Sequence, residues 1–201
     1  SFNEAAELAY FGAKILHPFT IRPAQRANIP VRLLNTMEPQ APGTLISDKQ
    51  EEREITAVAA KDGITAIKIK SSRMLLAYGF LRKVFEIFEK YKTPIDLITT
   101  SEVGVSLTID NQEHLASIQH ELEIFGEVEV DGDKTIVCVV GNMPFQKIGI
   151  LKRVIDAIDD IPIRMLSYGG SKFNISLLID SQYKNETLNR LSDRIFTHPE
   201  R

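Results

Sequence analysis

The sequence predicts an α+β fold built from two βαββαβ units, the first inserted within the second, and preceded by a stretch of a different kind. Three observations lead there. A set of motifs recurs in the same order about 70 residues further on. Each copy reads by its apolar spacing as strand, helix, strand, strand, helix. The second copy ends one strand short, and an unassigned strand stands ahead of the first.

The repeat is explicit in the residues. Gly79-Phe80-Leu81-Arg82-Lys83-Val84-Phe85 is matched in type by Gly149-Ile150-Leu151-Lys152-Arg153-Val154-Ile155. Pro94-Ile95-Asp96-Leu97-Ile98 is echoed by Pro162-Ile163-Arg164-Met165-Leu166, and Ser106-Leu107-Thr108-Ile109-Asp110 by Ser176-Leu177-Leu178-Ile179-Asp180. In the first copy, residues 64–69 alternate as a strand. Leu81, Val84, Phe85, Phe88 and Tyr91 share one helical face. Lys92-Thr93-Pro94 stops that helix, because proline and the residue before it disfavour continuation. Residues 95–99 and 103–109 follow as strands, 112–122 as a helix, and 126–130 close the unit. This is a ferredoxin-like plan, an antiparallel sheet with helices on one face.

The second copy has a strand at 135–140 and a helix presenting Leu151, Val154, Ile155 and Ile158. Strands at 163–167 and 173–179 come next, then a helix at 185–196 that leaves no room for a fourth strand. The spare strand is 54–60, so this segment is expected to cross into the second unit. The chain then divides into residues 1–50, a first unit at 64–131, and a second unit made of 54–60 and 134–201. Within 1–50, residues 2–12 and 20–28 read as helices, 31–34 as a strand and 39–43 as a turn. Fifty such residues lack a core of their own and are expected to complete a larger body. The charged run 48–54 reads as a solvated linker. The chain begins at Ser1, inside a predicted helix, and is expected to be a cut piece.

Composition narrows the function. The chain is 43% hydrophobic, enough for a real core, and its formal charge of -3 gives no electrostatic footprint for nucleic acid or an anionic membrane. No apolar run approaches the ~20 residues that span a bilayer. The first residues do not read as a secretory signal. The lone Cys138 lies in Val137-Cys138-Val139-Val140, the pattern of a buried strand residue. These features fit a reducing cytoplasm. RNA-recognition domains share the βαββαβ plan, but their base-stacking aromatics are missing from residues 103–109.

Phe11-Gly12-Ala13-Lys14-Ile15-Leu16-His17-Pro18, preceded by Glu4-Ala5-Ala6-Glu7-Leu8-Ala9, resembles the end of the aspartokinase catalytic domain, an α/β amino-acid-kinase fold. Gly43-Thr44-Leu45-Ile46 looks like that domain's closing strand. Met74-Leu75, Gly79-Phe80-Leu81, Val84-Phe85, and Asp96 through Val103 resemble the first ACT unit of the lysine-sensitive, monofunctional enzymes. The resemblance implies ATP-dependent phosphorylation of L-aspartate to 4-phospho-L-aspartate, with magnesium, at the start of lysine, threonine and methionine biosynthesis. It also implies feedback through a tandem ACT regulatory pair, the first unit inserted in the second, and a homodimer. No catalytic residue falls within the chain. Lys14 and Ile15 match the edge of the family's ATP site, while His17 before Pro18 reads as a turn and packing residue. Whole, the enzyme would phosphorylate aspartate; this piece alone would bind effector without catalysis. The alternative is a stand-alone ACT sensor of amino acids.

A free amino acid needs N–H donors for its carboxylate and acceptors for its ammonium groups. The loop 74–79 feeds into a helix starting near Phe80, whose first amides lack intrahelical partners. Gly79, Phe80 and Leu81 are therefore the expected carboxylate site. Asp96 and Glu102 are candidates for the ammonium groups, with Ile95, Thr100 and Ser101 beside them and Met74 against the aliphatic stem. Leu76, Ala77 and Pro94 depart from the polar residues usual in lysine-sensitive relatives; lysine stays the first expected effector, with threonine or another amino acid behind it. In the second unit Asn142, Gly149 and Ile150 occupy the matching loop. Arg164 replaces Asp96 there and would repel an ammonium group. The first unit is expected to bind effector and the second to mediate assembly. No metal site is expected.

Overall fold

In the computed structural model, residues 1–13, 16–49, 53–71, 78–144 and 146–197 are described. They begin with two helices, α1 (Phe2–Tyr10) and α2 (Pro18–Arg26), and a small antiparallel ladder of β1 (Val31–Leu33) with β2 (Thr44–Ile46). Among the described residues, Phe2, Ile21 and Ile46 are the buried members of the cluster that ties these together. A core of three side chains is too small to hold fifty residues by itself.

The rest is organised by two 14-residue strands, β3 (Ala57–Lys70) and β6 (Glu127–Val140), paired antiparallel from Ala57 opposite Val140 to Lys70 opposite Glu127. Between β3 and β6 lie α3 (Phe80–Lys90), β4 (Ile98–Thr100), β5 (Gly104–Ile109) and α4 (Leu115–Leu122). After β6 come α5 (Ile150–Ala157), β7 (Ile163–Ser167), β8 (Asn174–Asp180) and α6 (Lys184–Ser192), which ends in a π-helical turn. The strand order is β4-β5-β3-β6-β8-β7, all neighbours antiparallel. The early half of β3 pairs with the late half of β6, next to β8; the late half of β3 pairs with β5 and with the early half of β6. The first βαββαβ unit is thus inserted within the second, as the missing strand required. The expected strands 54–60 and 64–69 are joined, since β3 runs through residues 61–63 with a register shift.

The helix-facing side of the sheet carries two cores. One joins Val84, Phe88, Ile67, Leu107 and Ile118; the other joins Val154, Ile158, Val137, Leu177 and Leu191. In α3 the buried residues are Phe80, Val84, Ile87 and Phe88, whereas Phe85 is 38% exposed. In α5 they are Ile150, Val154 and Ala157, with Ile158 following. The inward stripe is rotated from the predicted one in the same sense in both copies. An apolar pattern five residues wide admits either rotation, and the smaller set i, i+4, i+7, i+8 meets the sheet.

The other face is not left to solvent. Its edge strands β4 and β7 approach one another, and Leu97 and Met165 join Ile64, Ile136, Cys138 and Leu178 in a third core. Phe11 is buried in that core and Leu8 packs against it, so α1 covers the concave side. A curled sheet with apolar residues on both faces explains why 135–140 reads as a continuous apolar run instead of an alternating one. Cys138 has no exposed surface, and burial pushes its thiol up to about 12.

Candidate functional site

Gly79 and Gly149 occupy equivalent places, each the N-cap of its helix with φ of +78° and +90°. A left-handed backbone at this position suits glycine and lets the chain turn sharply into the helix. Phe80 is buried edge-on against Phe125, and Leu81 and Ile95 are partly buried against the same core. Lys14, Ile15, Met74, Leu76 and Ala77 lie outside the described residues. Thr100 ends β4, and Ser101 and Glu102 lie in the exposed turn between β4 and β5, where the Ser101 amide donates to the Gly104 carbonyl at 2.8 Å.

Asp96 is the unusual member. Asp96 and Leu97 together face Thr108. The Asp96 amide donates to the Thr108 carbonyl at 2.9 Å, the Leu97 amide to the Thr108 hydroxyl at 3.0 Å, and the Thr108 amide back to the Leu97 carbonyl. This bulge shortens β4 relative to the predicted strand and re-aims the Asp96 side chain. The side chain is 2% exposed. Its Oδ1 accepts from the Lys61 ammonium at 2.7 Å and from the Tyr10 hydroxyl at 3.4 Å. Lys61 also pairs with Asp110 at 2.8 Å and lies 5.1 Å from the centre of the Tyr10 ring. The Asp96 Oδ2 is buried and has no hydrogen-bond partner.

Burial raises the Asp96 carboxyl above its ordinary value, against the lowering pull of Lys61. Burial presses the Lys61 ammonium down, but hydrogen bonds to Asp110 and Asp96 outweigh it and hold it above the usual lysine range. Burial and the Asp96 charge together raise the Tyr10 phenol. A carboxylate so enclosed is an acceptor for cations and for hydrogen-bond donors.

The second unit repeats this arrangement with the sign reversed. The register between Ile163 and Met165 shifts against β8, leaving Arg164 as the bulged residue where the first unit has Asp96. Arg164 donates to Asp131 at 2.5 Å, and both side chains are exposed by about half. Asp131 stands on β6 where Lys61 stands on β3. The helix start of this unit is also occupied. Glu54 pairs with Lys147 at 3.1 Å and Arg153 at 3.0 Å, and an added Cβ on Gly141 would meet the Glu54 carbonyl at 1.9 Å. The end of the run expected to be a solvated linker is therefore packed, with Ile55 in the core.

Comparison with known proteins identifies the second of the two copies. The profile of the ACT domain family matches residues 137–195. A chain described as the C-terminal regulatory domain of aspartate kinase from Porphyromonas gingivalis W83 is 50% identical, with a TM-score of 0.65, and its alignment covers 72% of this chain and 99% of that one. The chain belongs to the aspartokinase family. Aspartokinase 3, chloroplastic, from Arabidopsis thaliana is 38% identical over 209 residues, covering 98% of this chain and 37% of its own length. The crystal structure of Escherichia coli aspartokinase III in complex with lysine and aspartate superposes with a TM-score of 0.85 at 36% identity, covering 97% of this chain and 45% of that one. The chain thus spans less than half the length of these longer aspartokinases.

Sequence reasoning singled out Asp96 and missed the groups that hold it in place, Tyr10, Lys61 and Thr108, along with Asp110 on the far side of Lys61. Lys61 fell in the supposed junction, and Tyr10 in a segment assigned to another body. A signal did exist. Asp110 and Asp180 close the matched Ser-Leu-x-Ile-Asp motifs, and each pairs with a lysine, Lys61 in one unit and Lys134 in the other. Among the described residues no cluster of acidic, histidine and cysteine side chains fits a metal ion. No described helix is long and apolar enough to cross a membrane.

Proposed function

We propose that this chain is the regulatory portion of an aspartate kinase and that its first ACT unit, residues 64–131, takes L-lysine as feedback effector. Residues 54–60 with 134–201 form the second ACT unit, and residues 1–50 the closing edge of the catalytic domain. The whole enzyme transfers a phosphoryl group from magnesium-bound ATP to the side chain of L-aspartate in the cytoplasm, opening lysine, threonine and methionine synthesis. This piece by itself binds effector and phosphorylates nothing. A second copy joins it through the ACT units.

The observation that carries the effector reading is the enclosed Asp96 carboxylate with an unpartnered oxygen, against its cationic counterpart Arg164. An ammonium group is drawn to the first and repelled by the second. The Gly79–Leu81 helix start supplies amides for the ligand carboxylate. That the similar E. coli aspartokinase III structure is a complex with lysine favours lysine among the amino acids.

Titration calorimetry on the chain with L-lysine, L-threonine and L-methionine in turn tests this. Lysine is expected to give the heat. Asp96→Ala is expected to abolish it, and Arg164→Ala to leave it unchanged. Heat with threonine alone moves the effector assignment, and loss of heat in the Arg164 variant with retention in the Asp96 variant overturns the choice of unit.

A further inference from the structure

Helix α1 is the one described element of the N-terminal stretch that reaches polar groups in both ACT units. Its Glu7 accepts hydrogen bonds from Ser171 at 3.0 Å and Asn174 at 2.5 Å, beside β8 in the second unit. Its Tyr10 donates to Asp96 in the first unit. The two attachments are unequal. The contact from Tyr10 is long at 3.4 Å, while the same carboxylate oxygen takes the Lys61 ammonium at 2.7 Å. Lys61 is also the cation lying over the Tyr10 ring. Tyr10, Lys61 and Asp96 therefore form one polar joint, and Asp96 carries on its other side a buried oxygen that bonds to nothing. The second unit has no such joint, because its bulge residue Arg164 pairs outward with Asp131.

We propose that Tyr10 is a positioning residue that carries the state of the Asp96 carboxylate into helix α1. An ammonium group taken up on the Asp96 Oδ2 draws the carboxylate away from the weaker of its two Oδ1 partners, and the last turn of α1 loses its hold on the first unit. Glu7 keeps the helix attached to the second unit meanwhile. Occupancy of the effector site thus changes the stability of α1, the element on which the kinase-side segment leaves the sheet. The inference rests on the effector reading above, in which Asp96 receives the ligand ammonium. It adds the route by which that event leaves the ACT pair.

Hydrogen exchange of the α1 amides, with and without saturating L-lysine, tests it on the whole 201-residue chain, with calorimetry in parallel. In the unaltered chain lysine is expected to speed exchange in the last turn of α1 by about tenfold. Tyr10→Phe, which keeps the ring and its packing on Phe11, is expected to hold lysine within about threefold of the original affinity while the α1 response disappears. A full α1 response in Tyr10→Phe overturns the proposal and leaves the effector reading standing. Lysine binding to the unaltered chain with no change in α1 does the same, and decides the matter even if the variant fails to fold. Absence of any lysine heat overturns the effector reading and this proposal with it.

Discussion

Replacing Lys61 by methionine isolates the electrostatics of the Asp96 joint. Methionine keeps much of the aliphatic stem and deletes the ammonium. What remains is a carboxylate 2% exposed at Asp96, facing a second one 39% exposed at Asp110, with no cation between them. Removing one partner of a buried pair costs about 3–5 kcal/mol, because the other charge stays buried and uncompensated. Lys61 is 19% exposed and Asp110 is partly screened by water, so the lower end applies, about 3 kcal/mol near neutral pH. For a chain of this size that lowers Tm by about 6–12 °C. The sign of the pH dependence follows from Asp96. Its carboxyl is raised in the folded state, so its contribution is most favourable below the unfolded value and is lost as pH rises through the folded one. Removing Lys61 raises it further. The variant's deficit is therefore largest near pH 7 and shrinks toward about 1 kcal/mol near pH 4, where a neutral acid needs no counter-ion. Urea unfolding of both proteins at the two pH values, followed by far-ultraviolet circular dichroism, measures it. An equal deficit at both pH values, or less than about 1 kcal/mol at pH 7, refutes the reasoning and makes Lys61 a surface residue that happens to touch Asp96.

Other expectations follow from single positions. Gly141→Ala drives a Cβ into the Glu54 carbonyl and is expected to cost about 1–3 kcal/mol in urea melts, whereas Gly132→Ala, which meets nothing within 4 Å, is expected to be nearly neutral. Cys138, fully buried with its thiol raised to about 12, is expected to react with a thiol reagent at pH 8 only as fast as the chain unfolds, and prompt labelling of the native protein contradicts its placement.

Much of the architecture was legible because duplication supplies an internal check. Gly79 with Gly149, and Pro94 with Pro162, mark the same two corners of each unit, and the count of strands between them implies the insertion. The joint at Asp96 was less legible for a physical reason. Strand periodicity assigns Ile95, Asp96 and Leu97 to alternating faces, but a bulge breaks the alternation, and nothing local in the sequence distinguishes a bulged Asp-Leu from a regular one. The partners Tyr10 and Lys61 lie 86 and 35 residues from Asp96, beyond the reach of any local pattern. Similarly, helix faces were rotated because Phe85 and Ile87 are both apolar, and only the facing sheet decides which is buried.

The two long strands limit how the proposed effector can act. Since β3 and β6 each run through both units, the halves share one hydrogen-bonded ladder, irregular between Lys61 and Ala66. Swinging one unit against the other would break that ladder, at a cost that the differential affinity of a small ligand is poorly matched to meet. A signal therefore travels more readily through what is laid on the sheet than through the sheet itself. The concave face carries α1, with Phe11 buried in the shared core, Glu7 held by the second unit and Tyr10 by the first. The apolar packing there makes no contact with the carboxylate oxygen proposed to receive the ligand. The Tyr10–Asp96 contact does have one, because the carboxylate it touches is the group proposed to receive the ligand. Only an interaction that differs between the free and bound states can shift an equilibrium, and on this face that places the sensitivity at Tyr10.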